Sequence, residues 1–572
     1  VPCVILHRLQ KSSPFQGGRI EPDFRLDVYM IRKKKFVFLI LLFIGALYFF
    51  IFWFPNATGA RDQNMLSVFS ADEIAQYPYM VRMLGALFTL FQSPFRFFAY
   101  QQYFYGFPYY FYSVAAALLP LKLLGAAGSV STNMLFLRQL VSVLPMVIAL
   151  ILLVYLQTGF ESYIKSISLF LILILIPEVV ANDMWLHPES LEFLLIVLTL
   201  FFLTRDDLKF GKSFYIAALF CGLATATKLL GLFFFLTIPL YIFLGWYQKR
   251  ISLRKVMQAA TFFVAIMAVI FVLSNPFLFW ASQRAFALKI QSNFHRSMTA
   301  GFTVAYKNSP LVWLQVIFDL YSVPAFLILA MTALIIGMLK GERRLINLLI
   351  LSWAIPFMLY ISFAIAIRPK HFPMPILLPV FSALPAYFTV LTPPRFIHPL
   401  SDYLKKHSAR LVLFCAGILI VGWQFVYSLN MDIPQYLDTL NREKNSPSLN
   451  FYAALDKNDL SRIILNRTLI VFRDVAVYVP DAANDKVDYQ WGVSGYGYIN
   501  KINADLLLLS KQHLRDYTQP GQTAFDSNFT DAVHFYKDAL ADQVRGYTLI
   551  YQDDFGMAYL STPLYNQFFS TH

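Results

Sequence analysis

Asp72 and Glu73 stand side by side in the run Phe69-Ser70-Ala71-Asp72-Glu73, in a part of the chain that is otherwise poor in charge. A carboxylate held against a substrate hydroxyl acts as a general base, so this pair is the first candidate catalytic centre. Ser70 and Asp72 are also good helix N-caps, which gives the same residues an ordinary structural use. A second acidic group follows in Asn182-Asp183-Met184-Trp185-Leu186-His187-Pro188-Glu189, where Asp183 and Glu189 are candidates for orienting an acceptor. Candidate phosphate ligands are Arg138, Lys228 and the cluster Arg368-Pro369-Lys370-His371. Fixed cations suit a phosphate because their charge persists while the bond to it breaks. His187 and His295 show no ligand spacing such as His-x-x-x-His, so no metal ligands are assigned, and a divalent cation stays open as a cofactor. Walker, dinucleotide, Gly-x-Ser-x-Gly and Asp-x-Asp patterns are absent, which argues against a soluble nucleotide-sugar donor.

These residues must be positioned by a membrane bundle. Of the 572 residues, 58% are hydrophobic and only 14% charged, and mean hydropathy is +0.55. Apolar runs of spanning length recur from Phe36 to Leu429, and the chain then turns polar. The net charge of +14 sits in short loops between spans, the pattern of the positive-inside rule and not of a nucleic-acid surface. About eleven spans follow, among them Phe36–Phe54, Ser166–Ala181, Val256–Phe279, Leu311–Leu339 and Leu411–Leu429. Tyr105–Gly125, with Pro108 and Pro120, is read as dipping into the outer leaflet. That choice places the basic loops Gln248–Lys255, Lys340–Arg344 and Pro393–Arg410 on the cytoplasmic side with Arg32–Lys35. The N-terminus is then cytoplasmic, and the acidic groups, residues 368–371 and the C-terminal region share the outer face of a plasma (inner) membrane. Residues 1–29 read as an extension ahead of a start at Met30, 30–429 as the membrane domain with residues 55–133 as its first external loop, and 430–572 as an extracytoplasmic α/β or α+β domain.

Six segments, in order, resemble the GT-C glycosyltransferases, nearest the protein O-mannosyltransferase, aminoarabinose-transferase and rhizobial lipopolysaccharide-transferase group. Asp72-Glu73 with Ile74–Leu84 is similar to that family's first-loop acidic motif. Phe107-Pro108-Tyr109-Tyr110 through Leu121-Lys122-Leu123-Leu124-Gly125 resembles its membrane-dipping segment, and Leu137-Arg138-Gln139-Leu140 the start of its second span. His187-Pro188-Glu189-Ser190 falls where the family has Asp-Pro or Asp-Ser, so Glu189 replaces an Asp. Gly222-Leu223-Ala224 with Thr227-Lys228, and Arg368 to His371 with Leu378-Pro379, match two later segments. The resemblance covers about Met30–Leu429. It implies a polyprenyl-phosphate sugar donor, inverting transfer to a hydroxyl of a lipid, glycan or protein, Asp72 as base with Glu73 beside it, and Arg138, Lys228, Arg368, Lys370 and His371 on the donor phosphate. A lipid-linked glycan flippase, or a surface-polysaccharide polymerase or ligase, is the alternative.

In the C-terminal region Arg462–Val471 and Tyr547–Tyr551 read as strands, Ala504–Leu509 as a further apolar run and Asp531–Leu540 as a helix. Tyr489–Tyr498 is aromatic and Gly-rich, a composition that suits either a packed loop or a sugar-stacking surface.

Overall fold

The computed structural model describes residues 22–300, 309–367, 369–392, 400–457, 469–480, 486–489, 495–519 and 529–569. Among these, seven helices are long and apolar enough to cross a membrane, and the number rises to eight if one pair bent by 101° is counted as a single span. Two shorter apolar helices, Tyr163–Ile174 and Lys212–Thr227, and the helix Glu189–Asp206 complete the bundle. Large apolar side chains face outward on the peripheral helices: Phe43, Phe50 and Leu419 are 63%, 64% and 73% exposed. In water each such side chain forgoes roughly 1.5–3 kcal/mol of burial. Hydrocarbon removes that cost, so the chain is a polytopic membrane protein. The helix Val130–Thr158 lies at the centre, packed against Ile31–Asn56, Tyr163–Ile174 and Glu189–Asp206.

Several spans differ in shape from the sequence expectation. Leu311–Leu339 is two helices, Pro310–Leu320 and Pro324–Leu339, set at 101°. Pro324 at the first turn of the second helix starts a new axis, and the N–H of Val323 is taken by Gln424 at 2.9 Å. Ser166–Ala181 breaks before Pro177 into Tyr163–Ile174 and Pro177–Asn182. Val256–Phe279 ends as a regular helix at Leu273, followed by a short 3-10 turn at Pro276–Phe279. Leu411–Leu429 is the middle of a longer helix, Leu400–Leu440.

The first external loop builds its own core. Ile74, Tyr77, Met80 and Leu84 of the helix Ala71–Leu87 pack with Tyr100, Tyr103, Tyr109 and Tyr110. Residues 107–123 form a helix with a π-helical stretch at Val114–Leu118 and lie against this core.

Among the described residues, the C-terminal domain holds a five-stranded mixed sheet, with β1 Ile470–Arg473, β2 Lys486–Tyr489, β3 Leu506–Ser510, β4 Tyr547–Gln552 and β5 Gly556–Ser561 in the order β2-β1-β3-β5-β4. β2, β1 and β3 are parallel, while β3, β5 and β4 are antiparallel. Alternate residues of β3 face opposite cores: Leu507 and Leu509 meet Phe535, and Leu506 and Leu508 meet Phe451. Burial on both faces makes a three-layer domain. The strand expected over Arg462–Val471 begins only at Ile470, residues 458–468 lying outside the described residues. The helix expected at Asp531–Leu540 is present as Phe529–Leu540. Of Tyr489–Tyr498, residues 490–494 lie outside the described residues and Tyr496 opens a helix to Ile502.

Candidate active site

The acidic pair is placed by Ser70. Its backbone closes the helix Gln63–Phe69 and its Oγ accepts the N–H of Glu73 at 3.2 Å, starting the helix Ala71–Leu87. Asp72 and Glu73 therefore sit in a first turn, where the helix dipole favours anions. Neighbours on a helix point about 100° apart, and that rotation separates the two carboxylates.

Glu73 turns inward. Arg138 Nε and Nη2 donate to its two oxygens at 2.7 and 2.5 Å, and both side chains are fully buried. Arg138 Nη1 donates to the carbonyls of Asn56 and Thr58, both at 2.8 Å. The N–H of Leu186 donates to Glu73 at 2.8 Å, tying the second acidic group to the first. Burial, the largest single influence, pushes the Glu73 carboxyl up, but Arg138, Arg442 and the Leu186 N–H together outweigh it and hold the group below the usual range. Arg138, expected on a phosphate, thus spends its donors on Glu73 and two backbone carbonyls. Glu73, expected beside the reacting atoms, is the anchor of three segments.

Asp72 turns outward, half-buried, into a cavity of about 880 Å³. Burial pushes its carboxyl up, with Lys228 opposing and Glu73 adding. Lys228, Lys370 and Arg442 line the same cavity, together with Tyr105, Trp185, His187 and His371. Lys228 is extended (φ −150°, ψ 131°) between the helix Lys212–Thr227 and a 3-10 helix at Leu229–Leu236, and this break turns its ammonium inward. Gly106 holds the Tyr105 segment onto it: its N–H donates to Thr227 at 2.9 Å, and a Cβ there would strike the Ala226 carbonyl. Arg442, just past the helix Leu400–Leu440, donates from Nε to Thr58 Oγ1 at 3.0 Å and lies over the Phe69 ring.

Glu189 is the hub of a second cluster. Lys228 Nζ and His371 Nε2 meet its Oε1, the latter at 3.1 Å, and His187 Nδ1 meets its Oε2. Burial holds both imidazoles well below their usual range, and Lys228 is the cation in contact with Glu189. His187 stacks on Trp185 (4.3 Å, 9°), and its Nε2 is 2.6 Å from the Tyr105 hydroxyl. These three ligand-type groups, His187, Glu189 and His371, place one atom each within 4.8 Å of one another.

Of the expected site residues, the fold brings Asp72, Lys228, Lys370, His371 and Glu189 together. It does not bring Asp183 into the cavity: Tyr48 donates to its carboxylate at 2.9 Å, and Asn56 to its carbonyl at 2.9 Å, fastening it to the first span. Arg368 lies outside the described residues. Sequence reading missed Tyr105, Trp185, Glu178 and Arg442, all of which line the cavity. Glu178 alone carried a signal, an acid beside a Pro in an apolar run.

The molecule is thus a multi-pass membrane protein with a carboxylate-and-cation cavity lined by its first external loop and the ends of its helices, followed by a C-terminal domain built on a mixed sheet. No family model matches the sequence, and no curated protein matches it. Among solved structures the chain is similar to ArnT from Cupriavidus metallidurans bound to undecaprenyl phosphate, at 11% identity and TM-score 0.48, over 91% of this chain and 97% of that one. It is also similar to the archaeal oligosaccharyltransferase AglB from Archaeoglobus fulgidus in complex with an inhibitory peptide and a dolichol-phosphate, at 13% identity and TM-score 0.44, over 93% and 75%.

Proposed function

We propose that the chain is an inverting glycosyltransferase that moves a sugar from a polyprenyl phosphate to a hydroxyl of a lipid, glycan or protein. The observation that carries this reading is the one cavity lined by Asp72 together with Lys228, Lys370 and Arg442, Lys228 acting directly on the Asp72 carboxyl. Asp72 takes the proton of the acceptor hydroxyl as its oxygen attacks the anomeric carbon. The bond to the donor phosphate breaks on the opposite face, which inverts the configuration. The departing phosphate carries its own negative charge, so fixed cations serve where a glycosidase needs a second, protonated carboxyl. Lys228, Lys370 and Arg442 supply those cations, and Arg368 belongs with them by sequence position. Glu73 and Arg138 are positioning residues, since neither presents its charge to the cavity. Glu189 sets the Lys228 ammonium in place. Loop charge supports a cytoplasmic N-terminus and an external C-terminal domain in the plasma (inner) membrane.

The test is a product analysis. Purified protein is incubated with a panel of polyprenyl-phosphate sugars and hydroxyl acceptors, and the product anomer is read by NMR. Inverted product supports the reading, whereas retained configuration would require a covalent intermediate and would refute the single displacement. A reporter fused after His572 should be reached from outside, and a cytoplasmic reporter would reverse the side assignment.

A further inference from the structure

We propose that Glu178 selects the sugar to be transferred, by taking a hydrogen bond from one ring hydroxyl of the donor. The assignment rests on the transfer reading above and adds one contact to it.

Pro177 ends the apolar run Leu169–Ile176 and opens the short helix Pro177–Asn182, so the chain turns just before the acid. Ile176, Val179 and Val180 go into the apolar core of the bundle. Glu178 is only 3% exposed among them, yet it lines the cavity that holds Asp72. Its Oε2 is buried without a hydrogen-bond partner. The next acids along the chain are engaged, Asp183 by Tyr48 and Glu189 by Lys228 and His371. A buried acceptor left unpaired is costly, and one on a cavity wall is relieved when a ligand donates to it.

The chemistry of that ligand follows from the charges. Lys370 lines the same cavity and acts electrostatically on Glu178, so a counter-charge is already near. A neutral donor is what the carboxylate lacks, and a hydroxyl is one. Trp185, half-buried and lining the same cavity, adds ring surface on which the C–H face of a sugar packs. The charges also separate donor sugar from acceptor. The cation acting on Asp72 is Lys228, whereas the cation acting on Glu178 is Lys370. Asp72 takes the acceptor hydroxyl, and Glu178 belongs with a cation of the donor phosphate. The sugar is one bond from that phosphate, so its ring hydroxyls are the donors for Glu178. A site built to pair a buried group with a hydroxyl rejects the analogue that lacks it.

The purified full chain is assayed with polyprenyl-phosphate hexoses and pentoses, and with each monodeoxy analogue of the sugar it transfers fastest. In the wild type one analogue should lose roughly tenfold or more in kcat/KM. Glu178→Ala should bring that analogue to within about threefold of the parent sugar, and Glu178→Gln, which keeps one acceptor, should fall between. Should Glu178→Ala fail to fold, Glu178→Met fills a similar volume without an acceptor and is read in its place. A wild type that transfers a sugar but tolerates every deoxy analogue would overturn the role of Glu178. So would Glu178→Ala protein slowed equally on all donors, with its preference intact. A wild type that transfers none of the sugars would instead refute the transfer reading, and this assignment with it.

Discussion

Arg138 closes a two-pronged ion pair on Glu73, at 2.7 and 2.5 Å, with both side chains wholly out of solvent. This pair is the joint at which the first external loop, the start of the second long span and the 183–189 loop meet, through Thr58, Arg138 and Leu186. Asp72 is aimed because Glu73 is held.

Removing one partner leaves the other charge buried and alone, at a cost of about 3–5 kcal/mol. Arg138→Ala and Glu73→Ala should therefore lower thermal stability or the yield of folded protein in detergent. The double substitution should cost less than the sum of the two singles. Arg138→Ala protein with a wild-type melting temperature would show that the joint is dispensable.

The two carboxylates should also separate in pH. Asp72 is pushed up by burial, and catalysis needs its anion, so the acidic limb of kcat/KM should fall above the ordinary Asp value of about 3.9. Glu73 is held low despite its burial, so its contribution to stability is complete above its unfolded pKa of about 4.3. That contribution is lost only as pH falls through the lower folded value. On acidification the protein should lose activity while still folded. Parallel pH profiles of transfer and of thermal melting check this, and coincident losses would contradict it.

Arg442 lines the cavity yet lies beyond the last long helix. If it holds the leaving phosphate, Arg442→Ala should reduce kcat/KM by roughly 10²–10³-fold. Arg442→Lys should recover part of that loss. Steady-state kinetics with the Ala variant at wild-type rates would remove Arg442 from the phosphate set.

The C-terminal domain is tied to the first external loop by Arg473, whose Nη1 donates to Ser67 at 2.9 Å and Nη2 to Asn64 at 3.2 Å. Tyr478 adds a bond to Asp62 at 2.8 Å. Arg473→Ala should weaken that docking by about 1.5–3 kcal/mol per charged hydrogen bond lost. Limited proteolysis between residues 440 and 480 would then accelerate, and an unchanged digestion pattern would count against the tie.

Local chemistry was legible in the sequence, and long-range partnership was not. Ser70, Asp72 and Glu73 announce a capped helix start because capping is a rule of adjacent residues. The apolar runs announce the spans because bilayer thickness fixes their length. Whether Glu73 meets a substrate or Arg138 depends on a contact across 65 positions, which no periodicity encodes. Asp183 reads as acidic and external, but its bond to Tyr48 is set by bundle packing. The Glu189 cluster unites residues 187, 189, 228 and 371, each of which alone reads as a loop or helix-end charge.

The most direct measurement compares wild type with Asp72→Asn in a membrane assay offering a panel of polyprenyl-phosphate sugars. The substitution keeps shape and removes the base, so transfer should fall by about 10²–10⁴-fold. Thermal stability should hold or rise, because the fold no longer buries a charge that it disfavours. Undiminished transfer by well-folded Asp72→Asn protein would contradict the assignment of Asp72 as the catalytic base.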